Sequence, residues 1–122
     1  MSEPNIKYDE LSDTLYISFA PGEKATGIEL NENLLLRINK AERRAIGLSV
    51  FNYSLLAQKT AIGPRSVPLA GLTELSEPLR QLVLEILLRP PVTEFLTVST
   101  YTPSHHKSIP IAALHIDVLA LA

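Results

Sequence analysis

The sequence predicts an α+β fold: an antiparallel β-meander, one amphipathic helix and a C-terminal strand pair. Three observations carry this. Residues 5–51 alternate apolar and polar side chains in several short runs divided by turn chemistry, the pattern of strands with one buried face. A single helical stripe follows Ser76-Glu77-Pro78, and two segments rich in β-branched residues follow Pro90-Pro91. The 122 residues suit one domain, which at this size buries roughly two thirds of the surface its unfolded chain exposes.

The elements follow in order. TLYISF sets Leu15, Ile17 and Phe19 on one face against Tyr16 and Ser18. Ala20-Pro21-Gly22-Glu23-Lys24 is a turn, through the fixed φ of proline and the tolerance of glycine for positive φ. TGIEL, LLLRIN and AIGLSVF continue the pattern, the last two separated by Lys40-Ala41-Glu42-Arg43-Arg44. Strands joined by short connections usually pair side by side and antiparallel, which predicts a meander of four or five strands. NYSLLAQ, from Asn52 to Gln58, reads as one helical turn or a sheet exit, closed by Gly63-Pro64.

Ser76, Glu77 and Pro78 mark the start of a helix over Glu77–Arg89, since serine caps, glutamate suits the positive end of the helix dipole and proline is accepted in the first turn. Pro90-Pro91 ends it. Leu79, Leu82, Val83 and Ile86 form the stripe that covers the sheet, whereas Leu84, Leu87 and Leu88 fall to the side or rear. Either the C-terminal strands cover these three or a second copy of the chain does. Val92–Tyr101 and Ile109–Val118 read as strands, with TPSHHKS between them. Ile111, Leu114, Val118 and Leu121 also fit helical spacing, but the alternation of Leu114-His115-Ile116-Asp117-Val118 favours the extended form.

Composition narrows the function. A net charge of −2 offers no long-range attraction for phosphate backbones, and Lys40, Arg43 and Arg44 form only a hairpin tip without an aromatic platform beside it. The absence of cysteine excludes disulfides, thiolate zinc sites and a cysteine nucleophile. The first fifteen residues lack the cationic start and apolar core of a secretory signal, and IPIAALHIDVLALA is too short and too polar to span a bilayer. A cytoplasmic, soluble protein without a cofactor is expected.

Tyr8-Asp9, Asp13, Leu15-Tyr16-Ile17 and Ala45-Ile46-Gly47-Leu48 resemble a small bacterial family, domain of unknown function 2283. Its members read roughly YD-x-x-x-D-x-L-Y-I, then a hairpin, then a turn into V-V-G-hydrophobic. The resemblance covers residues 6–51, so that residues 6–58 form the family-like part and 59–122 the remainder. Arg43 stands at the family's turn glycine, Ser49 where an acidic residue usually follows the glycine-hydrophobic pair, and Asn39 where the family tends to have aspartate. The resemblance implies a compact antiparallel sheet with a small helix, and a protein partner.

Candidate chemistry is sparse. Asp9 and Asp13 could offer oxygens to a hard cation, but D-E-L-S-D between two strands is ordinary turn chemistry, in which Asp and Ser bond nearby backbone amides. His105, His106 and His115, with Asp117, are the only set resembling metal ligands, and adjacent histidines in an extended chain point apart. No G-x-S-x-G elbow or glycine-rich phosphate loop occurs. The expected role is a non-catalytic binding or structural module that associates with itself through Leu84, Leu87 and Leu88. An antitoxin-like or regulatory protein that neutralises a protein partner, and a small hydrolase using Asp9, Asp13 or the histidines, are the alternatives.

Overall fold

The computed structural model describes residues 4–60, 63–64, 66–104 and 107–115. Strands β1 (Asn5–Asp9), β2 (Thr14–Ser18), β3 (Thr26–Glu29), β4 (Leu34–Asn39) and β5 (Arg44–Phe51) come first, followed by the single turn α1 (Tyr53–Leu56). Next are β6 (Lys59–Thr60), β7 (Gly63–Pro64), β8 (Ser66–Pro68) and a 3-10 segment at Ala70–Glu74. Helix α2 (Glu77–Leu87), a 3-10 turn at Val92–Glu94, β9 (Leu96–Ser104) and β10 (Lys107–Leu114) complete the described chain. The fold is α+β with an antiparallel five-stranded sheet, a three-stranded sheet of order β8-β10-β9, and the short pair β6-β7.

The five-stranded sheet runs β1-β2-β5-β4-β3, which departs from a simple meander: β2 pairs with β5, and β3 stands at the far edge. Burial explains the order. Residues 45–50 of β5 are all buried, as a central strand requires, whereas β3 is four residues long, includes Gly27 and buries only Ile28. The Pro21-Gly22 connection, with Gly22 at φ 83, carries the chain across to that edge.

Two hairpin turns share one design. Asp9 Oδ1 accepts the Leu11 amide (3.3 Å) and the turn ends with Asp13 at φ 53. Asn39 Oδ1 accepts the Glu42 amide (2.9 Å) and that turn ends with Arg43 at φ 54. Asn39 therefore performs the acceptor role of an aspartate, and Arg43 occupies the left-handed position that suits glycine.

Leu15, Ile17, Leu36, Leu48 and Val50 from the sheet join Leu82, Val83, Ile86 and Leu87 of α2, and Leu96, Ala112 and Leu114 of the second sheet, in one buried cluster. The Phe19 and Phe95 rings, 5.8 Å apart and tilted, link the two sheets at its margin. Helix α2 ends at Leu87 rather than Arg89, and residues 92–94 form a 3-10 turn before the strand begins at Leu96. Ser76 holds the N-cap position without a side-chain cap bond. Instead the Arg80 guanidinium donates to the Leu72 and Leu75 carbonyls, both at 3.0 Å, and ties α2 to the preceding 3-10 segment. Strands β9 and β10 extend to Ser104 and from Lys107, into the expected loop. The extended form holds through Leu114, and 116–118 of the proposed strand lie outside the described residues. Among the described residues no helix is long and apolar enough to cross a membrane.

The three rear leucines separate. Leu87 is 0% exposed and belongs to the core, Leu84 is partly buried against it, and Leu88 is 60% exposed. Leu87 leaves the proposed self-association face because it lies only about 40° around the helix from Val83, so the stripe is wider than one sheet requires. Truncation should discriminate the two neighbours. Leu87→Ala is expected to cost about 2–5 kcal/mol and Leu88→Ala less than about 0.5 kcal/mol, read from urea denaturation midpoints at constant m-value.

Candidate binding groove

Along the outer edge of β3 lies an open groove of about 690 Å³, within the size range of about 300–1,000 Å³ typical of ligand clefts. One wall is β3 and the turn at 31–33, and the other is the segment 67–75. The hydrogen-bond register of the β3-β4 hairpin determines what the edge presents. The Leu30 amide donates to the Leu34 carbonyl at 2.9 Å, and Ile28 pairs with Leu36 in the same register. Alternation then turns the main-chain groups of Gly27 and Glu29 away from β4. Among the described residues, the Gly27 N–H and C=O and the Glu29 N–H have no backbone partner.

The far wall is riveted to the sheet at two points. The Gly71 amide donates to the Leu30 carbonyl at 2.7 Å, and the Asn31 side-chain amide donates to the Pro68 carbonyl at 2.8 Å. Asn31 Oδ1 meanwhile accepts the amides of Asn33 (2.7 Å) and Leu34 (2.9 Å), which fixes the turn. Glycine is required at 71, because a methyl there would collide with the Glu29 carbonyl oxygen. Ile28, Val67, Pro68, Ala70 and Leu75 supply apolar lining, and among the described residues the charged lining is Glu29, Glu32 and Glu74.

The residues singled out from the sequence lie elsewhere. Asp9 is absorbed in its turn, accepting the Ser12 hydroxyl at 2.7 Å besides the Leu11 amide. Asp13 fastens that turn to α1. Its carboxylate accepts the Tyr8 hydroxyl (2.6 Å), the Ser54 hydroxyl (2.8 Å) and the Ser54 amide (3.2 Å), and its carbonyl accepts the Tyr53 amide (2.9 Å). The Tyr8 and Tyr53 rings pack 5.6 Å apart beside it. Both carboxylates are thus engaged by groups of the chain itself, Asp9 within its turn and Asp13 across to α1.

His115 Nδ1 lies 3.1 Å from the Glu94 carbonyl, to which it donates, leaving Nε2 to accept from the Thr97 hydroxyl. Both ring nitrogens therefore have partners within the chain. His105, His106 and Asp117 lie outside the described residues. Among the described residues no three His, Cys, Asp or Glu converge in a metal-binding arrangement. In the basic turn, Arg43 pairs with Glu85 of α2, and Arg44 with Glu23 and Glu42.

Sequence reasoning missed the groove because its walls are some forty residues apart in the chain. The local signals were the glycines at 27 and 71 and the shortness of TGIEL.

The Asp13 cluster makes stability depend on pH at both extremes. The hydrogen bond from Tyr8 holds the Asp13 carboxyl below its ordinary value, so this contribution is complete above about pH 4 and fades as pH falls through the folded pKa. The same bond raises the Tyr8 phenol, and burial raises Tyr53. Their contribution is complete below about pH 10 and fades as pH rises past it. Melting temperatures measured from pH 3 to 11 should fall at both ends, with a shallower alkaline fall in Tyr8→Phe and a shallower acid fall in Asp13→Asn.

No curated protein and no solved structure matches the chain. The family-model comparison matches the part that holds β1 to β5, the Asp13 cluster and one wall of the groove. Over residues 5–54 the chain matches the model of the protein family of unknown function DUF2283.

Proposed function

We propose that this protein is a non-catalytic binding module whose ligand is another polypeptide, received in the groove beside β3. The observation that supports this reading is the pairing of an unsatisfied strand edge with an open cleft of about 690 Å³. Main-chain groups left exposed in β geometry are ready partners for another extended chain. The other candidates offer less: the carboxylates of Asp9 and Asp13 and the imidazole of His115 are occupied by their own neighbours. Selection of a random-peptide display library on the immobilised protein tests the reading. Enriched peptides should perturb amide resonances of residues 27–33 and 67–75. Failure of any peptide to enrich, or perturbation confined to other residues, overturns it.

Self-association through the end of α2 is a second reading, favoured by Leu88 at 60% exposure. Its signature in light scattering is a dimer that Leu88→Glu converts to monomer without lowering the melting temperature. A chain that is monomeric at high concentration removes this reading.

A further inference from the structure

We propose that the segment bound in the groove is an extended strand of a partner protein that carries lysine or arginine between aliphatic residues and adds to β3 as a sixth strand. The inference rests on the peptide-binding reading above and names the chemistry of the ligand.

The backbone term comes from the register. The exposed Gly27 N–H and C=O and the Glu29 N–H lie on one side of β3, spaced to accept one neighbouring strand about 4.8 Å away. A helix or a compact small molecule satisfies few of these groups, whereas an extended chain satisfies them in alternation. Gly27 brings no side chain to the edge and is exposed, so a guest backbone meets no obstacle there.

The side-chain term comes from the lining. Successive residues of an added strand point to opposite faces. Aliphatic residues at every second position would meet the apolar part of the groove's lining. The residues between them would stand among Glu29, Glu32 and Glu74, which form no ion pair among the described residues. Cationic side chains there gain opposite charge at close range, and a guest with acidic side chains meets repulsion.

The same charges decide against a second copy of this chain as the occupant. Pairing β3 with its own counterpart would gather three carboxylates from each copy in one groove, with no compensating cation among the described lining residues.

A fluorescently labelled peptide of alternating lysine and valine, an otherwise identical peptide of alternating glutamate and valine, and N-methylated forms of the first provide the test. Binding is followed by anisotropy, and the site by amide shifts of the protein. The lysine peptide should bind at least about tenfold more tightly than the glutamate peptide and weaken as salt is raised. N-methylation at alternate positions in one register should reduce binding at least about tenfold, and in the other register leave it nearly unchanged. Charge reversal at Glu29→Lys or Glu74→Lys should abolish the preference for lysine, with the melting temperature reporting that each variant is folded. Equal binding of both peptides, no binding of the lysine peptide, or equal sensitivity to N-methylation in both registers overturns the inference. If display selection yields groove-binding peptides that lack basic residues, the strand chemistry proposed here fails while the peptide-binding reading stands. If selection yields nothing, both fail.

Discussion

The amide of Gly71 donating to the carbonyl of Leu30 is the junction on which the groove depends. It brings a segment from the second half of the chain against the last residue before the β3-β4 turn. Because Gly71 lacks a side chain, the two backbones approach more closely than any other residue allows. The bond from Asn31 to Pro68 holds the same segment at a second point. From that pair of contacts follow the width of the cleft and the exposure of the β3 edge along part of its length. The Arg80 guanidinium, bonded to the Leu72 and Leu75 carbonyls, anchors the same segment to α2, so the wall is tied at both ends.

Much of the scaffold is legible in the sequence, and the reason is local. Alternation in TLYISF and LLLRIN reports burial on one face of a strand whatever that strand pairs with, and the stripe from Leu79 to Ile86 reports a helix in the same way. Strand order is not local. Nothing within β2 says that its neighbour is β5, and the continuous burial of residues 45–50 that marks β5 as central emerges only in the fold. Leu87 illustrates the same limit on α2: periodicity shows that the helix has a buried stripe, but not that the stripe is wide enough to take in Leu87.

The candidate sites divide along the same line. The turn role of Asp9 and Asp13 is readable because it rests on bonds to near neighbours. The reach of Asp13 to Ser54 is not, since it spans 41 residues and exists only because β2 and β5 lie side by side. The groove needs two segments brought together by the complete fold, and its charge is spread over Glu29, Glu32 and Glu74, none of which stands in a recognisable motif. The basic turn is likewise a different object in three dimensions. Arg43 accepts a backbone conformation suited to glycine while its side chain reaches Glu85, so that residue links hairpin and helix.

The strand order also sets a schedule for synthesis. As the chain leaves the ribosome, β1 and β2 emerge as a hairpin with one neighbour missing, and a lone two-stranded ribbon is barely stable in water. Its true neighbour β5 ends at Phe51, and the Tyr53 and Ser54 groups that lock Asp13 come directly after. Little of the sheet can therefore consolidate until the nascent chain has presented everything up to α1, at which point three strands and their lock become available almost together. Such long-range closure slows folding relative to a simple meander of the same length, and makes the first half of this protein assemble as a unit rather than strand by strand.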